Sequence, residues 1–233
     1  MTNREFTVGQ IHPIECVKEG FVLIKDEYFV LLAVSIVGAM IAAVSLYILI
    51  GAMVCGIFAC YLRKIDGGRV EFADLFTGFR YFWKSLLVTI LIVVPLVVWI
   101  LVLFLTLYLP LLIQAVGGSK TSGDEVLTTF LIVMAVDLLV ALVMVCFHSL
   151  LFFCFPLIVD RGLSSLDSIK LSARATVKNI AGIGGLIGLN FLIVLAGELL
   201  LCVGIYLAIP IITASTLVAY RKVFPKNGEI QTN

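Results

Sequence analysis

Residues 86–113 read LLVTILIVVPLVVWILVLFLTLYLPLLI, with no charged side chain among them. As a helix this stretch would be about 42 Å long, which exceeds the roughly 30 Å hydrocarbon core of a bilayer. Its many valines and isoleucines suggest buried strands of a large α/β protein as the alternative, but such strands usually span only about 3–10 residues. The stretch therefore predicts a helix that crosses a membrane.

The composition of the whole chain supports this interpretation. Of its 233 residues, 62% are hydrophobic and 13% are charged, and the mean hydropathy is +1.18. Soluble domains average about 45–50% apolar and 25% charged residues, and a chain of this length cannot hide the excess in one core. These values exclude a soluble enzyme, a nucleic-acid-binding domain and a disordered linker.

Three further apolar stretches complete the predicted set of spans, namely residues 28–62, 126–159 and 180–220. The first and the last are too long for one span, so we expect helix breaks near Ser45 and near Gly204. The polar residues 114–125, QAVGGSKTSGDE, are rich in glycine and serine and predict a loop. The total is six transmembrane helices in three hairpins.

An amphipathic segment precedes each predicted hairpin. Pro13 suits a first helical turn, and Ser164 with Asp167 has the spacing of a capping box. Because each segment runs directly into a span, we expect it to lie in the membrane interface before the chain enters the bilayer. The apolar stripes comprise Ile14, Val17, Phe21 and Ile24; Phe72, Leu75, Phe76, Phe79, Phe82 and Leu86; and Leu166, Ile169, Ala173, Val177 and Ile180.

The charged positions of these segments indicate an internal repeat. A shift of about 152 positions places Glu15, Val17 and Lys18 on Asp167, Ile169 and Lys170. The repeat predicts three copies, at 13–67, 71–162 and 164–225, within a single all-α membrane domain over 1–233. A shift of 94 positions pairs Cys60 with Cys154, Asp66 with Asp160, Gly68 with Gly162, Leu75 with Ile169, Arg80 with Arg174 and Lys84 with Lys178; Tyr61, Arg63 and Lys64 also resemble Tyr220, Arg221 and Lys222.

The basic residues set the expected orientation. In a six-span arrangement, fifteen of the sixteen Lys and Arg residues fall on one side, and only Lys120 falls on the other. The positive-inside rule then places both termini and the three amphipathic helices in the cytoplasm, and the loop 114–125 outside. Six of these residues are candidate contacts for anionic lipid headgroups, although they could equally serve topology alone: Lys18, Lys25, Arg80, Lys84, Arg174 and Lys178.

Four polar residues within or near the spans are candidate functional positions. Asp137 lies near the middle of its span, and a charge there costs about 2.5–3.5 kcal/mol, so it needs a partner or water. Asn190 is a candidate hydrogen-bonding partner, and Glu198 lies near the outer turn, within reach of headgroups. His148 lies near the cytoplasmic end of its span, where an interfacial imidazole with satisfied hydrogen bonds is the simpler interpretation.

Motifs of catalysis and of metal or cofactor binding are absent from the sequence. The six cysteines form no Cys-x-x-Cys pair, and no HExxH, Walker A or Gly-x-Ser-x-Gly pattern occurs. We therefore expect no catalytic residues, no metal and no cofactor. Gly184 and Gly188 form a GxxxG pair instead, which predicts close helix packing.

Two segments, GAMVCGIFACYLRKIDGGRVEFADLFTGF at 51–79 and FPLIVDRGLSSLDSIKLSARATVKN at 155–179, carry a family resemblance. They resemble a group of uncharacterised bacterial polytopic membrane proteins, similar to the membrane domain of some glycerophosphodiester phosphodiesterases. The resemblance implies a helical module of the bacterial inner membrane without a catalytic domain. We expect a non-enzymatic scaffold or accessory subunit of a membrane complex, or a lipid-interacting module. A small transporter or channel that uses Asp137 is the alternative.

Overall fold

A computed structural model of the chain describes residues 6–109, 112, 113, 116, 123–199 and 203–226. Every element among these residues is helical, so the predicted all-α class is confirmed. The α-helices are α1 (Pro13–Ile24), α2 (Tyr28–Val44), α3 (Ile50–Ile65), α4 (Phe82–Leu103), α5 (Gly123–Leu150), α6 (Cys154–Arg161), α7 (Ser165–Lys178), α8 (Ile180–Glu198) and α9 (Val203–Val223). A 3-10 helix covers Phe72–Tyr81, a short 3-10 turn covers Lys25–Glu27, and a π-helical turn covers Phe104–Tyr108.

Five stretches within the described residues are long and apolar enough to cross a membrane. The predicted sixth span corresponds to α3, whose 16 residues would extend only about 24 Å. The sequence therefore correctly predicted a helical, multi-pass membrane protein. The five stretches are Pro13–Val44, Phe72–Tyr108, Gly123–Arg161, Ile180–Glu198 and Gly204–Val223.

The predicted break near Ser45 is a turn between α2 and α3. The Ser45 hydroxyl donates to the carbonyl of Ala42 at 2.8 Å, and Leu46 and Tyr47 adopt positive φ angles of 51° and 64°. The break predicted near Gly204 lies slightly earlier, because α8 ends at Glu198 and α9 begins at Val203. Both breaks follow from the limited thickness of the bilayer, although no glycine marks the first one.

The predicted fourth span differs from the structure at both ends. The helix α5 already begins at Gly123, so the last three residues of the predicted loop 114–125 are helical. Most of the rest of that loop, including Lys120, lies outside the described residues. At the other end a short turn separates α5 from α6, and Cys154 begins the new helix.

The helices form two compact units. The first comprises the described residues up to Thr89 and from Ser149 onward, and the second comprises Ile90–His148. In the first unit the core contains the aromatic rings of Phe153, Tyr220 and Phe224, which meet in tilted and edge-to-face geometry with centroids 5.2–6.0 Å apart. The second unit contains most of α4 and α5, and its large apolar side chains are mostly exposed, as expected for helices in lipid.

Three helices of the first unit, α1, the 3-10 helix and α7, precede a predicted hairpin, and we call them the leading helices. The helices that end a predicted hairpin, α3, α6 and α9, are the trailing helices. The 3-10 helix packs on α3 so closely that a side chain on Gly56 would overlap the carbonyl oxygen of Leu75. Likewise, a Cβ atom on Gly20 of α1 would lie 2.9 Å from the backbone nitrogen of Ser215 in α9.

The third leading helix, α7, is held at the turn before α6. The Ser172 hydroxyl donates to the carbonyl of Leu150 at 2.7 Å and accepts from the backbone N–H of Phe153 at 3.1 Å. Ser164 caps α7 as predicted, since its hydroxyl accepts from the N–H of Asp167 at 3.2 Å. Each leading helix therefore packs through a small residue on the end of another hairpin.

The segment 72–86 is helical as predicted, but its pitch is not that of one α-helix. It is a 3-10 helix to Tyr81, which buries Leu75 and Gly78 against α3 and leaves Phe76 and Phe79 exposed. The single apolar stripe that α-helical spacing predicts for this segment is thus divided between two faces, because a 3-10 helix has three residues per turn.

A methyl group at Gly78 should destabilise the fold. The Cβ atom of Gly78→Ala would lie 2.6 Å from the Gly56 nitrogen and overlap the Ala52 carbonyl, so α3 and the 3-10 helix must separate. We expect the free energy of unfolding to fall by about 1–3 kcal/mol. Unfolding in mixed dodecyl sulfate micelles, followed by intrinsic fluorescence, measures this change.

The matched control is Gly184→Ala in α8, where nothing within the chain lies within 4 Å of an added Cβ atom. This variant should be as stable as the wild type. Equal losses in the two variants would show that close packing at Gly78 is not the cause.

Candidate functional site

The most concentrated polar contacts of the first unit lie where the three trailing helices end. We call this site the charged junction, and it comprises Asp66, Asp160, Tyr220, Arg221 and Lys226. The Arg221 guanidinium binds both carboxylates in bidentate fashion, through Nε and Nη2 to Asp66 at 3.0 and 2.7 Å, and through Nη1 and Nη2 to Asp160 at 2.8 and 2.7 Å.

Local helix geometry brings these side chains together. Asp66 is the C-cap residue of α3, and Gly67 follows with a φ of 86°, a left-handed conformation that glycine adopts without strain. Asp160 lies in the last turn of α6, which Gly162 ends with a φ of 64°. Carboxylates are unfavourable near the negative end of the helix dipole, so both need a cation, which Arg221 provides.

The charged junction is largely shielded from solvent. Only 14% of the Arg221 side chain is exposed, against 19% for Asp66 and 18% for Asp160. The Tyr220 hydroxyl donates to Asp160 at 2.7 Å, and Lys226, which is 55% exposed, adds a contact to Asp66 at 2.8 Å. Two carboxylates and two cations therefore balance in charge, and the arrangement fixes three helices relative to one another.

Further ion pairs connect trailing to leading helices. Arg63 at the end of α3 binds Asp74 of the 3-10 helix at 2.6 Å, and its hydrogen bond to this carboxylate raises the pKa of Arg63. Lys222 near the end of α9 binds Glu19 of α1 at 3.1 Å. These exposed pairs are individually weak, but they occur at the same two interfaces where Gly78 and Gly20 make their close contacts.

In the second unit, Asp137 and His148 both connect α4 to α5. The indole N–H of Trp99 donates to Asp137 at 2.7 Å. The two ring nitrogens of His148 lie 2.8 Å from the carbonyl of Met144 and 3.0 Å from that of Ile92. The sequence identifies Asp137 as a residue that needs a partner, but the suggested partner, Asn190, is wrong: the structure pairs Asp137 with Trp99, and Asn190 with Ser215.

The remaining candidates lie in the first unit. Asn190 is buried and accepts a hydrogen bond from the Ser215 hydroxyl at 3.1 Å, whereas Glu198 is exposed at the end of α8. A Cβ atom on Gly184 or Gly188 would meet no described atom within 4 Å, so the predicted GxxxG packing does not occur among the residues that the structure describes. The six candidate headgroup contacts, Lys18, Lys25, Arg80, Lys84, Arg174 and Lys178, are all exposed.

The sequence contains a partial signal for the charged junction. The shift of 94 positions pairs Asp66 with Asp160, and Arg221 belongs to the match between Tyr61, Arg63 and Lys64 and Tyr220, Arg221 and Lys222. What the spacing did not indicate is that one arginine binds both carboxylates. Among the described residues no group of three or more metal-ligating side chains is present, and the arrangement acts as a clamp between helices.

Replacing Arg221 should weaken the fold more than replacing Lys226. Arg221→Met leaves two poorly solvated carboxylates facing each other, so we expect a loss of about 2–3 kcal/mol, below the cost for a fully buried pair. Lys226→Met also removes one positive charge that contacts Asp66, but Lys226 is exposed, so this variant should lose less than about 1 kcal/mol of unfolding free energy. Equal losses in dodecyl sulfate unfolding would contradict the role assigned to Arg221.

Comparison with known proteins does not extend this assignment. No protein-family model matches the chain, and no significant match occurs among the curated proteins or the solved structures. The similarity to the membrane domain of glycerophosphodiester phosphodiesterases therefore stays a prediction, and the function has to be argued from the contacts described above.

Proposed function

We propose that this chain is a non-enzymatic integral membrane protein that acts as a scaffold or accessory subunit of a larger membrane complex. It crosses a bacterial inner membrane six times, with both termini in the cytoplasm. The additional span is α3, the second in chain order, and Arg63 and Lys64 lie at its proposed cytoplasmic end. The distribution of Lys and Arg supports this orientation.

The proposal includes the three-fold internal repeat, and the helix contacts support it. Shifted by 152 and 94 positions respectively, Gly20 and Gly78 both fall on Ser172, and these are the residues through which the three leading helices make their close contacts. Gly56, the partner of Gly78, falls on Leu150, the partner of Ser172. The 3-10 helix and α7 thus each pack on the hairpin of the preceding copy. The helix α1, which belongs to the first copy, packs on the hairpin of the last copy.

The clamp made by Arg221 is the observation that carries the scaffold proposal. Asp66 belongs to the first proposed copy, Asp160 to the second and Arg221 to the third, so one charge cluster holds all three copies together. A fixed frame of this kind suits a protein whose role is to hold other membrane components in place. The exposed apolar surfaces of α4 and α5 offer area for such contacts.

Site-specific photo-cross-linking in native membranes tests the scaffold proposal. A photoreactive residue at Val97 of α4 or Leu142 of α5, which are 55% and 62% exposed, should give an adduct with one protein of defined mass. The same residue at Leu157, which is fully buried, should give no adduct with another protein. Adducts with lipid alone at both exposed positions, from a chain that purifies as a monomer, would contradict the proposal.

A small transporter or channel is the second candidate, because Asp137 and His148 are polar groups in one apolar two-helix unit. Asp137→Asn keeps an oxygen that can accept from Trp99 but removes the charge. If Asp137 carries a transported ion or proton, this variant should lower a flux into proteoliposomes at least about ten-fold, as measured with pH- or ion-sensitive dyes. The scaffold proposal predicts no flux difference between the variant and the wild type.

A further inference from the structure

The helix α7 has a buried side of mixed character and an exposed side that combines basic and apolar residues. Ser168, Leu171, Ser172, Ala175 and Thr176 are buried. On the opposite side Leu166 and Val177 are 59% and 57% exposed, and Lys170, Arg174 and Lys178 are exposed as well. Exposed apolar residues in a helix with basic residues are typical of a helix that lies in the membrane interface.

The 3-10 helix exposes aromatic rings in the same way. Phe76 and Phe79 stack with their centroids 6.4 Å apart and are each more than two-fifths exposed, and Trp83 in the first turn of α4 is 80% exposed. Arg80 and Lys84 follow Phe79 and Trp83 in the sequence and are also exposed, and the Lys84 ammonium donates to the carbonyl of Gly162 at 2.7 Å. Aromatic rings alternating with basic side chains are typical of segments at the boundary between headgroups and acyl chains.

The helix α1 repeats this distribution. Its buried side, with Cys16 and Gly20, faces the core, whereas Ile14 is 63% exposed and Lys18 and Lys25 are exposed as well. The acidic side chain of Glu19 instead contacts Lys222 on α9.

The acidic side chains of these helices have partners within the chain. Glu15 and Glu19 of α1 lie 3.8 and 3.1 Å from the Lys222 ammonium, and Asp74 of the 3-10 helix binds Arg63. Asp167 of α7 accepts from the Ser164 hydroxyl, although it is exposed, as is Glu15. The exposed basic residues, together with the exposed apolar side chains, suit an anionic lipid surface.

We propose that the three leading helices dock on the anionic phospholipid surface of one leaflet, with their exposed apolar side chains in the acyl boundary and their basic residues at the phosphates. A protein partner would have to match three separate helix faces of the same character, whereas a lipid surface meets all of them at once. This docking is independent of the scaffold role and would hold for a transporter equally.

The two tryptophans of the chain report on this docking. Trp83 lies on the proposed lipid-facing surface, and Trp99 belongs to the apolar part of α4 that we expect within the bilayer. The variant Trp83→Phe leaves the hydrogen bond of Trp99 intact, so the wild-type signal minus that of the variant gives Trp83 alone. In phosphatidylcholine vesicles, Trp83 should be quenched best by bromines near the headgroup, and Trp99 by bromines deep in the chains.

Headgroup preference is measured with brominated phosphatidylglycerol against brominated phosphatidylcholine. We expect brominated phosphatidylglycerol to be enriched about five-fold over brominated phosphatidylcholine around Trp83, as judged by the quenching of its fluorescence. Arg80→Gln should lower the preference towards unity, whereas the matched control Lys226→Gln, at the charged junction, should leave it unchanged.

Three results would overturn the proposal. The first is equal quenching of Trp83 by the two lipids. The second is quenching of Trp83 by aqueous iodide as efficient as for a tryptophan in water, which would place the 3-10 helix outside the bilayer. The third is protection of Trp83 from both lipid and iodide, which would indicate a protein partner on this surface.

Discussion

The ends of the three trailing helices depend on a single guanidinium group. Asp66 and Asp160 terminate α3 and α6, where the helix dipole disfavours a carboxylate, and burial at about one-fifth exposure disfavours it further. Arg221 can compensate for both because its planar fork presents parallel N–H groups to two carboxylates at once, which a lysine cannot do. The leading helices then pack on trailing helices whose ends are already fixed.

Two helices that contain a proline are stabilised by hydrogen bonds from neighbouring helices. Pro95 in α4 and Pro210 in α9 each remove a backbone donor and loosen the preceding turn. In both cases the carbonyl three residues earlier accepts a hydrogen bond from a neighbouring helix, at Ile92 from His148 and at Leu207 from the Tyr28 hydroxyl. The turn before each proline, which lacks a hydrogen bond within its helix, is thus joined to a neighbouring helix by another hydrogen bond.

Much of the fold could be predicted from the sequence because the bilayer imposes strict lengths on it. The turn at Ser45 follows from the excess length of the apolar run, and the start of α7 follows from the chemistry of Ser164 and Asp167. The pitch of the segment that carries Phe76 could not be predicted, since it depends on how closely Gly78 approaches α3. Local periodicity contains no information about such a contact.

The candidate site was predictable only in part, for a related reason. The repeat spacing marked Asp66 and Asp160 as equivalent, but a contact with Arg221 that joins residues more than 150 positions apart leaves no local pattern. Asp137 was identified from the cost of a charge in hydrocarbon, whereas its partner Trp99 belongs to a residue type that is common in membrane helices for other reasons. Conversely, Gly184 and Gly188 have the spacing of a packing motif but make no close contact within the chain.

The packing of α1 on α9 has a consequence for biosynthesis. Gly20 leaves the ribosome long before Ser215, and at about 5–20 residues per second the interval is on the order of 10–40 s. During that time α1 lacks the neighbour against which its small residues pack, and the N-terminal segment lacks the hydrogen bond from Thr7 to Val223 that holds it at 2.8 Å in the finished protein. The helix α1 is thus made long before α9 but reaches its native contacts only when α9 has been made.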